Sequence, residues 1–137
     1  MELFCTLEVE AEPHRLALVR RAVEVWLMAV RWPRGATSPI VFAVSEIVSN
    51  SIEHAYPVEP PGPVRIALAV EVVSPGCERI RVVVSDRGRW RTGGPEPGRG
   101  NGLPLVETLC AAVEVVTDAE GTRLTLLSEP VARGDRP

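Results

Sequence analysis

The chain contains no lysine: all 15 of its basic residues are arginine. A phosphate-binding Walker A loop needs its Gly-Lys-Ser/Thr, so an ordinary P-loop nucleotidase is excluded. A Schiff-base enzyme is excluded on the same ground. No run of about 18 apolar residues occurs, so no membrane-spanning helix is expected. The first residues, Met1 to Glu10, alternate apolar and polar and carry Glu2, Glu8 and Glu10. They lack the basic start and apolar block of a signal peptide, and a cytoplasmic protein is expected. Cysteine is scarce and odd in number, at Cys5, Cys77 and Cys110. That scatter fits neither a zinc site nor a disulfide framework, and the three read as reduced core fillers. The net charge is -3 and the arginines are dispersed, so there is no electrostatic footprint for nucleic acid.

What is present suffices for one globular domain: 137 residues, 45% of them hydrophobic. There is no internal repeat. Leu3, Cys5, Leu7 and Val9 alternate with polar residues and predict a strand. From Glu12 to about Arg31 the period changes, and Leu16, Val19, Val23, Trp26, Leu27 and Val30 fall on one helical face. Pro13 sits near the start of that helix, and Trp32-Pro33 with Gly35 breaks it. A second helix is expected from Ser38, as N-cap, to about Ala55. Val64–Val73 and Arg79–Ser85 read as an antiparallel hairpin around Ser74-Pro75-Gly76. Arg87 to Gly100 has no period and reads as a loop. A short helix is expected over Leu103–Ala112, then strands over Glu114–Thr117 and Thr122–Leu127, then a frayed tail from Glu129. Helices grouped with hairpin-joined strands predict an α+β two-layer sandwich.

Four features carry chemistry. On the second helix, Glu46, Asn50, Glu53 and His54 share about one third of the circumference, opposite Ile40, Val44, Ile47, Val48 and Ala55. A carboxylate and a carboxamide one turn apart suit Mg²⁺ or a proton acceptor beside a metal, and equally a solvated polar face. Asp86-Arg87-Gly88 ends a strand. It reads as a fixed acceptor for an exocyclic amine, such as that of adenine, or as an ordinary turn. Gly98-Arg99-Gly100-Asn101-Gly102-Leu103 precedes a helix. It suits a phosphate cradle or a flexible linker. Gly121-Thr122, taken alone, is a turn.

Together, in this order and spacing, they resemble the four nucleotide-binding boxes of the GHKL ATPase superfamily. Ser45-Glu46, Asn50 and His54-Ala55-Tyr56 resemble the N box in the form found in bacterial anti-sigma-factor serine/threonine kinases. Asp86-Arg87-Gly88, the stretch from Gly98 to Leu103, and Gly121-Thr122 resemble the three glycine boxes. The resemblance runs from the first strand to about Leu127. It implies a two-layer α/β sandwich with a mixed, mostly antiparallel sheet and helices on one face. The nucleotide-binding domain would be residues 1–128, with 129–137 a flexible tail. It also implies ATP and Mg²⁺ as cofactors. Asn50 would hold the metal and Glu46 would be the general base. Asp86, supported by Thr122, would bind the adenine amine, and Gly88 would let the base approach. Gly98, Arg99, Gly100, Gly102 and Leu103 would form the lid hinge and phosphate cradle. His54 reads as structural, closing its helix. Two positions depart from the pattern: Trp90 stands where the first box has its second glycine, and Asn101 where the second box carries an apolar residue.

The function so implied is a serine-protein kinase and anti-sigma factor. Its partners would be a sigma factor and a STAS-type anti-sigma-factor antagonist bearing the acceptor serine, with no nucleic acid or membrane, and it would work as a homodimer. The alternative suggested by Trp90 is a nucleotide-dependent protein-binding module with little catalysis. A third reading, a histidine-kinase catalytic domain detached from its phosphoacceptor helices, fits the Ser-Glu start and His-Ala-Tyr end of the N box less well.

Overall fold

The computed structural model describes residues 3–55, 62–88 and 103–133, with the backbone alone at Leu103. The first strand, β1, runs Phe4–Glu10. A 3₁₀ turn at Pro13–Arg15 leads into α1, Leu16–Ala29. Val19, Val23, Trp26 and Leu27 of α1 are buried, the face that the 3.6-residue period marks out. The helix stops before Trp32-Pro33. Arg31 takes φ 60°, the Trp32 N–H bonds the Leu27 carbonyl and the Arg31 N–H bonds the Met28 carbonyl. This is a Schellman closure with arginine where glycine is usual.

A second 3₁₀ turn, Arg34–Ala36, runs directly into α2, Thr37–His54. The helix thus begins one residue before Ser38, which makes no cap. The Thr37 N–H is taken by the Arg34 carbonyl and the Thr37 hydroxyl donates to the Pro33 carbonyl. The local turn meets the need that a Ser38 N-cap was expected to meet. Ile40, Val44, Ile47, Val48 and the following Ala55 are buried, as the pattern requires.

The hairpin pairs β2, Pro63–Ser74, with β3, Cys77–Asp86. Val64, Ile66 and Leu68 face the core, but Val72 is 70% exposed. The strand pair reaches past the helical layer there, and its register shifts between Val72 and Ser74. After α3, Leu103–Leu109, come β4, Ala112–Asp118, and β5, Gly121–Leu127. The sheet order is β1-β2-β3-β5-β4, and every pairing among the described residues is antiparallel. Ile66, Ile80, Leu124 and Leu126 from the strands meet Leu27 and Ile47 from the helices in one fully buried core. The result is the α+β two-layer sandwich expected from the sequence.

The segment after Glu129 is not frayed throughout. A short strand β6, Val131–Ala132, pairs with Cys77 and Glu78 at the start of β3. Arg133 then reaches back to the end of α1. Its guanidinium donates to the carbonyls of Val30 and Arg31 at 2.8 and 2.7 Å. It also lies 4.9 Å from the Trp32 ring centre and pairs with the nearly buried Glu78 at 3.2 Å. Carbonyls at a helix C-terminus lack intrahelical donors, and this cation supplies them. Composition alone hides the arrangement, because the partners lie about a hundred positions upstream.

Candidate functional site

The second half of α2 and the end of β3 meet through one buried bond. The Ser51 hydroxyl donates to Asp86 Oδ2 at 2.9 Å, and the Gly88 N–H donates to Asp86 Oδ1 at 3.0 Å. Asp86 and Ser51 are 6% and 1% exposed. Each carboxylate oxygen therefore has a fixed donor, and the group is held in one orientation. Asp86 is thus a rigid, buried acceptor at a strand end, which suits recognition of an amine.

Gly88 is buried against the residue that follows α2. A Cβ at Gly88 would overlap the Ala55 carbonyl oxygen, so no larger residue fits without moving backbone. Gly121 plays the matching part on the neighbouring strand. Its φ is +137°, and a Cβ there would overlap the Asp86 carbonyl oxygen. The register sets Asp86 opposite Thr122 across β3 and β5. Thr122 is buried, and its hydroxyl makes a long bond, 3.5 Å, to the Gly88 carbonyl. The Thr117 hydroxyl of β4 lies 3.4 Å from that of Thr122. Thr122 comes from a distant part of the sequence, and the fold brings it against Asp86 and Gly88.

Glu46 and Asn50 lie on α2, both half-buried, with Ser51 next to Asn50 in the chain. Glu46 borders the open groove between α1 and α2, beside Ser45. His54 ends α2 with an exposed side chain 3.5 Å from Glu53. A basic residue there complements the helix dipole. Among the described residues no three His, Cys, Asp or Glu side chains cluster as a metal site. Gly98, Arg99, Gly100, Asn101, Gly102 and Trp90 lie outside the described residues, and Leu103 begins α3.

Sequence reasoning did not single out Ser51, Thr117 or Ala55 as parts of this arrangement. Ser51 carried a signal, since it lies within the N-box stretch on the buried side of α2. Thr117 carried none, because its place depends on the β4–β5 register. The cysteines are free, with Cys5 and Cys77 half-buried and Cys110 buried. Burial, reinforced by the negative charge of Glu129, pushes the Cys110 thiol up to about 11.

The family profile described as the histidine kinase-like ATPase domain matches residues 9–127. Among solved structures, the RsbU and RsbW domains of Rv1364c from Mycobacterium tuberculosis align over 95% of this chain and 33% of that one, with 26% identity and a TM-score of 0.69. The blue-light activated histidine kinase EL346 of Erythrobacter litoralis aligns over 70% of this chain and 31% of that one, with 26% identity and a TM-score of 0.51. The histidine kinase domain of that protein aligns over 84% of this chain and 59% of that one, at 21% identity and a TM-score of 0.53, and speaks to the fold alone. The chain spans about a third of the length of the first two proteins it matches. Among the described residues no helix is long and apolar enough to cross a membrane. With the family profile covering most of its length, the chain belongs to the histidine kinase-like ATPase domain family.

Proposed function

We propose that this protein is an ATP-dependent serine-protein kinase of the anti-sigma type. It would phosphorylate a STAS-type antagonist and bind a sigma factor, as a cytoplasmic homodimer whose nucleotide-binding unit is residues 1–128. The observation that carries the reading is the meeting of the N-box helix with Asp86. Ser51 fixes that carboxylate while Asn50 and Glu46 stand on the same helix, one turn apart. The Ser-Glu start and His-Ala ending of that helix, and the alignment with a protein containing an RsbW domain, favour the anti-sigma branch over a histidine kinase.

The residues fit the cofactor. Asp86 accepts the adenine amine, with Thr122 beside it, while Gly88 lets the Ala55 carbonyl close against the strand end. Asn50 offers a carboxamide oxygen to Mg²⁺. Mg²⁺ held there would be bound through Asn50 together with the phosphates of the nucleotide, as is usual for this ion. Bound ATP supplies the transferable phosphoryl group, and the metal offsets its charge. Glu46 takes the proton of the acceptor serine at its carboxylate. Gly98, Arg99, Gly100 and Gly102, which lie outside the described residues, and Leu103 would supply the phosphate cradle that the resemblance implies.

The test is transfer of labelled phosphate from ATP to a STAS-type protein by the purified chain. Transfer to serine that Glu46→Ala abolishes supports the reading. ATP binding without transfer to any such partner would leave the nucleotide-dependent binding module, which Trp90 in the first glycine box favours. Label on histidine would return the chain to the histidine kinases.

A further inference from the structure

Asp86, Thr122 and Thr117 stand in one row across the sheet, because the register pairs Asp86 with Thr122 and Thr122 with Thr117. Residues directly opposite on neighbouring strands share a face, so all three side chains belong to the face that carries the helices. The row is buried at one end and open at the other. Asp86 and Thr122 are buried, whereas Thr117 is exposed. Val115 precedes Thr117 on the same face of β4 and is 40% exposed, so among the described residues the helical layer stops short of this edge.

The hydrogens around this row are spent inside the protein. The Ser51 hydroxyl and the Gly88 N–H donate to the two oxygens of Asp86. The Thr122 hydroxyl donates to the Gly88 carbonyl at 3.5 Å. A bond of that length holds a hydroxyl rotor only weakly. The Thr117 hydroxyl, 3.4 Å from that of Thr122, supplies a second hold. With the Thr122 proton on the Gly88 carbonyl, Thr117 is the donor of this pair and Thr122 the acceptor. A hydroxyl that accepts one bond is polarised to donate its own more strongly. Thr117 therefore keeps the Thr122 proton turned toward Gly88. What Thr122 and the Asp86 carboxylate then present to a ligand is acceptor oxygen and no proton.

We propose, resting on the nucleotide reading above, that Thr117 is a positioning residue that sets base selectivity by acting through Thr122. Thr117 lies on β4, in none of the four boxes. With its hydroxyl in place, Thr122 and Asp86 together receive a 6-amino purine. A 6-oxo purine is opposed, because its oxygen meets acceptors alone. A site built to receive a donor rejects an analogue without one, since its buried polar groups are left unpaired. Without the Thr117 hydroxyl, the Thr122 rotor is released and turns its proton to the ligand. A 6-oxo base then gains a donor, and a 6-amino base loses an acceptor. The discrimination between the two bases thus depends on a side chain at the open edge of the sheet.

The experiment is calorimetric titration of the full chain with ATP and with ITP, which carries oxygen in place of the 6-amino group, both with Mg²⁺. The parent, Thr117→Val and Thr117→Ser are compared. Valine keeps the shape of threonine without its hydroxyl, at an exposed position, and Tm checks that the fold is intact. The parent is expected to prefer ATP. Thr117→Val should narrow the ratio of ATP to ITP affinity about tenfold at unchanged Tm, and Thr117→Ser should restore it. A role in stability alone would weaken both nucleotides equally. Equal weakening, or a ratio that Thr117→Val leaves unchanged, would overturn the proposal while the nucleotide reading stands. A parent that binds neither nucleotide would overturn both.

Discussion

The Ser51 hydroxyl holds Asp86 from one side while the Gly88 N–H holds it from the other, at 2.9 and 3.0 Å. Ser51 is therefore a positioning residue for the acceptor. Ser51→Ala leaves Asp86 Oδ2 without this donor and should cost about 1–3 kcal/mol of stability. ATP should bind about tenfold more weakly. Asp86→Asn, which replaces an acceptor by an amide at the same place, should weaken ATP more than Ser51→Ala does. Denaturant unfolding and calorimetric titration measure both effects. ATP affinity unchanged in Asp86→Asn would remove Asp86 from the nucleotide site.

Gly88→Ala puts a methyl group onto the Ala55 carbonyl. The collision is of a Cβ with backbone atoms, and no side-chain rotation relieves it. A loss of about 2–4 kcal/mol is expected, visible as a lower Tm, with weaker ATP binding. Gly35→Ala is the control, because nothing lies within 4 Å of a Cβ there.

Glu46 and Asn50 should separate kinetically. Glu46→Ala should cut phosphoryl transfer by about 10²–10⁴-fold and leave ATP affinity near that of the parent. Asn50→Ala should lower affinity for the Mg²⁺ complex of ATP and change nucleotide binding without Mg²⁺ little. Equal losses of affinity from both substitutions would contradict the division of roles.

Cys110 should resist alkylation. Its thiol is pushed up to about 11, mainly by burial, while the unfolded chain titrates near 9.0. The folded state thus holds its proton over a range where the unfolded state releases it. This contribution to stability is fully present below pH 9 and is lost as pH rises toward 11. Iodoacetamide at pH 8 should modify the half-buried Cys5 and Cys77 well before Cys110, which peptide mapping by mass spectrometry would show. Cys110→Ser should flatten the alkaline limb of the stability profile.

Arg133→Ala should destabilise the domain by about 3 kcal/mol, because it removes the buried ion pair to Glu78 and two hydrogen bonds to carbonyls at the end of α1. Thermal unfolding of the variant beside the parent measures the loss.

Most of the architecture was legible because period and punctuation agree. Val19, Val23 and Leu27 mark one face of α1, and Pro75-Gly76 separates two alternating strands. Three of the four motifs, on α2, at Asp86-Arg87-Gly88 and at Gly121-Thr122, fall among the described residues, and their spacing in the sequence did not reveal their contacts. Nothing in the spacing of Ser51 and Asp86 says that one hydroxyl will reach the other's carboxylate. Where local reading failed, a distant or neighbouring group had taken over. The 3₁₀ turn before Thr37 replaced the Ser38 cap, and Arg133 fastened a segment whose own composition promised only disorder.

The position of β1 has a kinetic consequence. It pairs with β2 along its whole length, from Phe4 opposite Ala69 to Glu10 opposite Pro63, and both long helices lie between the two strands in the chain. The hairpins β2–β3 and β4–β5 close short loops, whereas this pairing must close one of the longest. Strand β1 should therefore join last, over a sheet already formed, and its amide hydrogens should gain protection after those of β3 and β5.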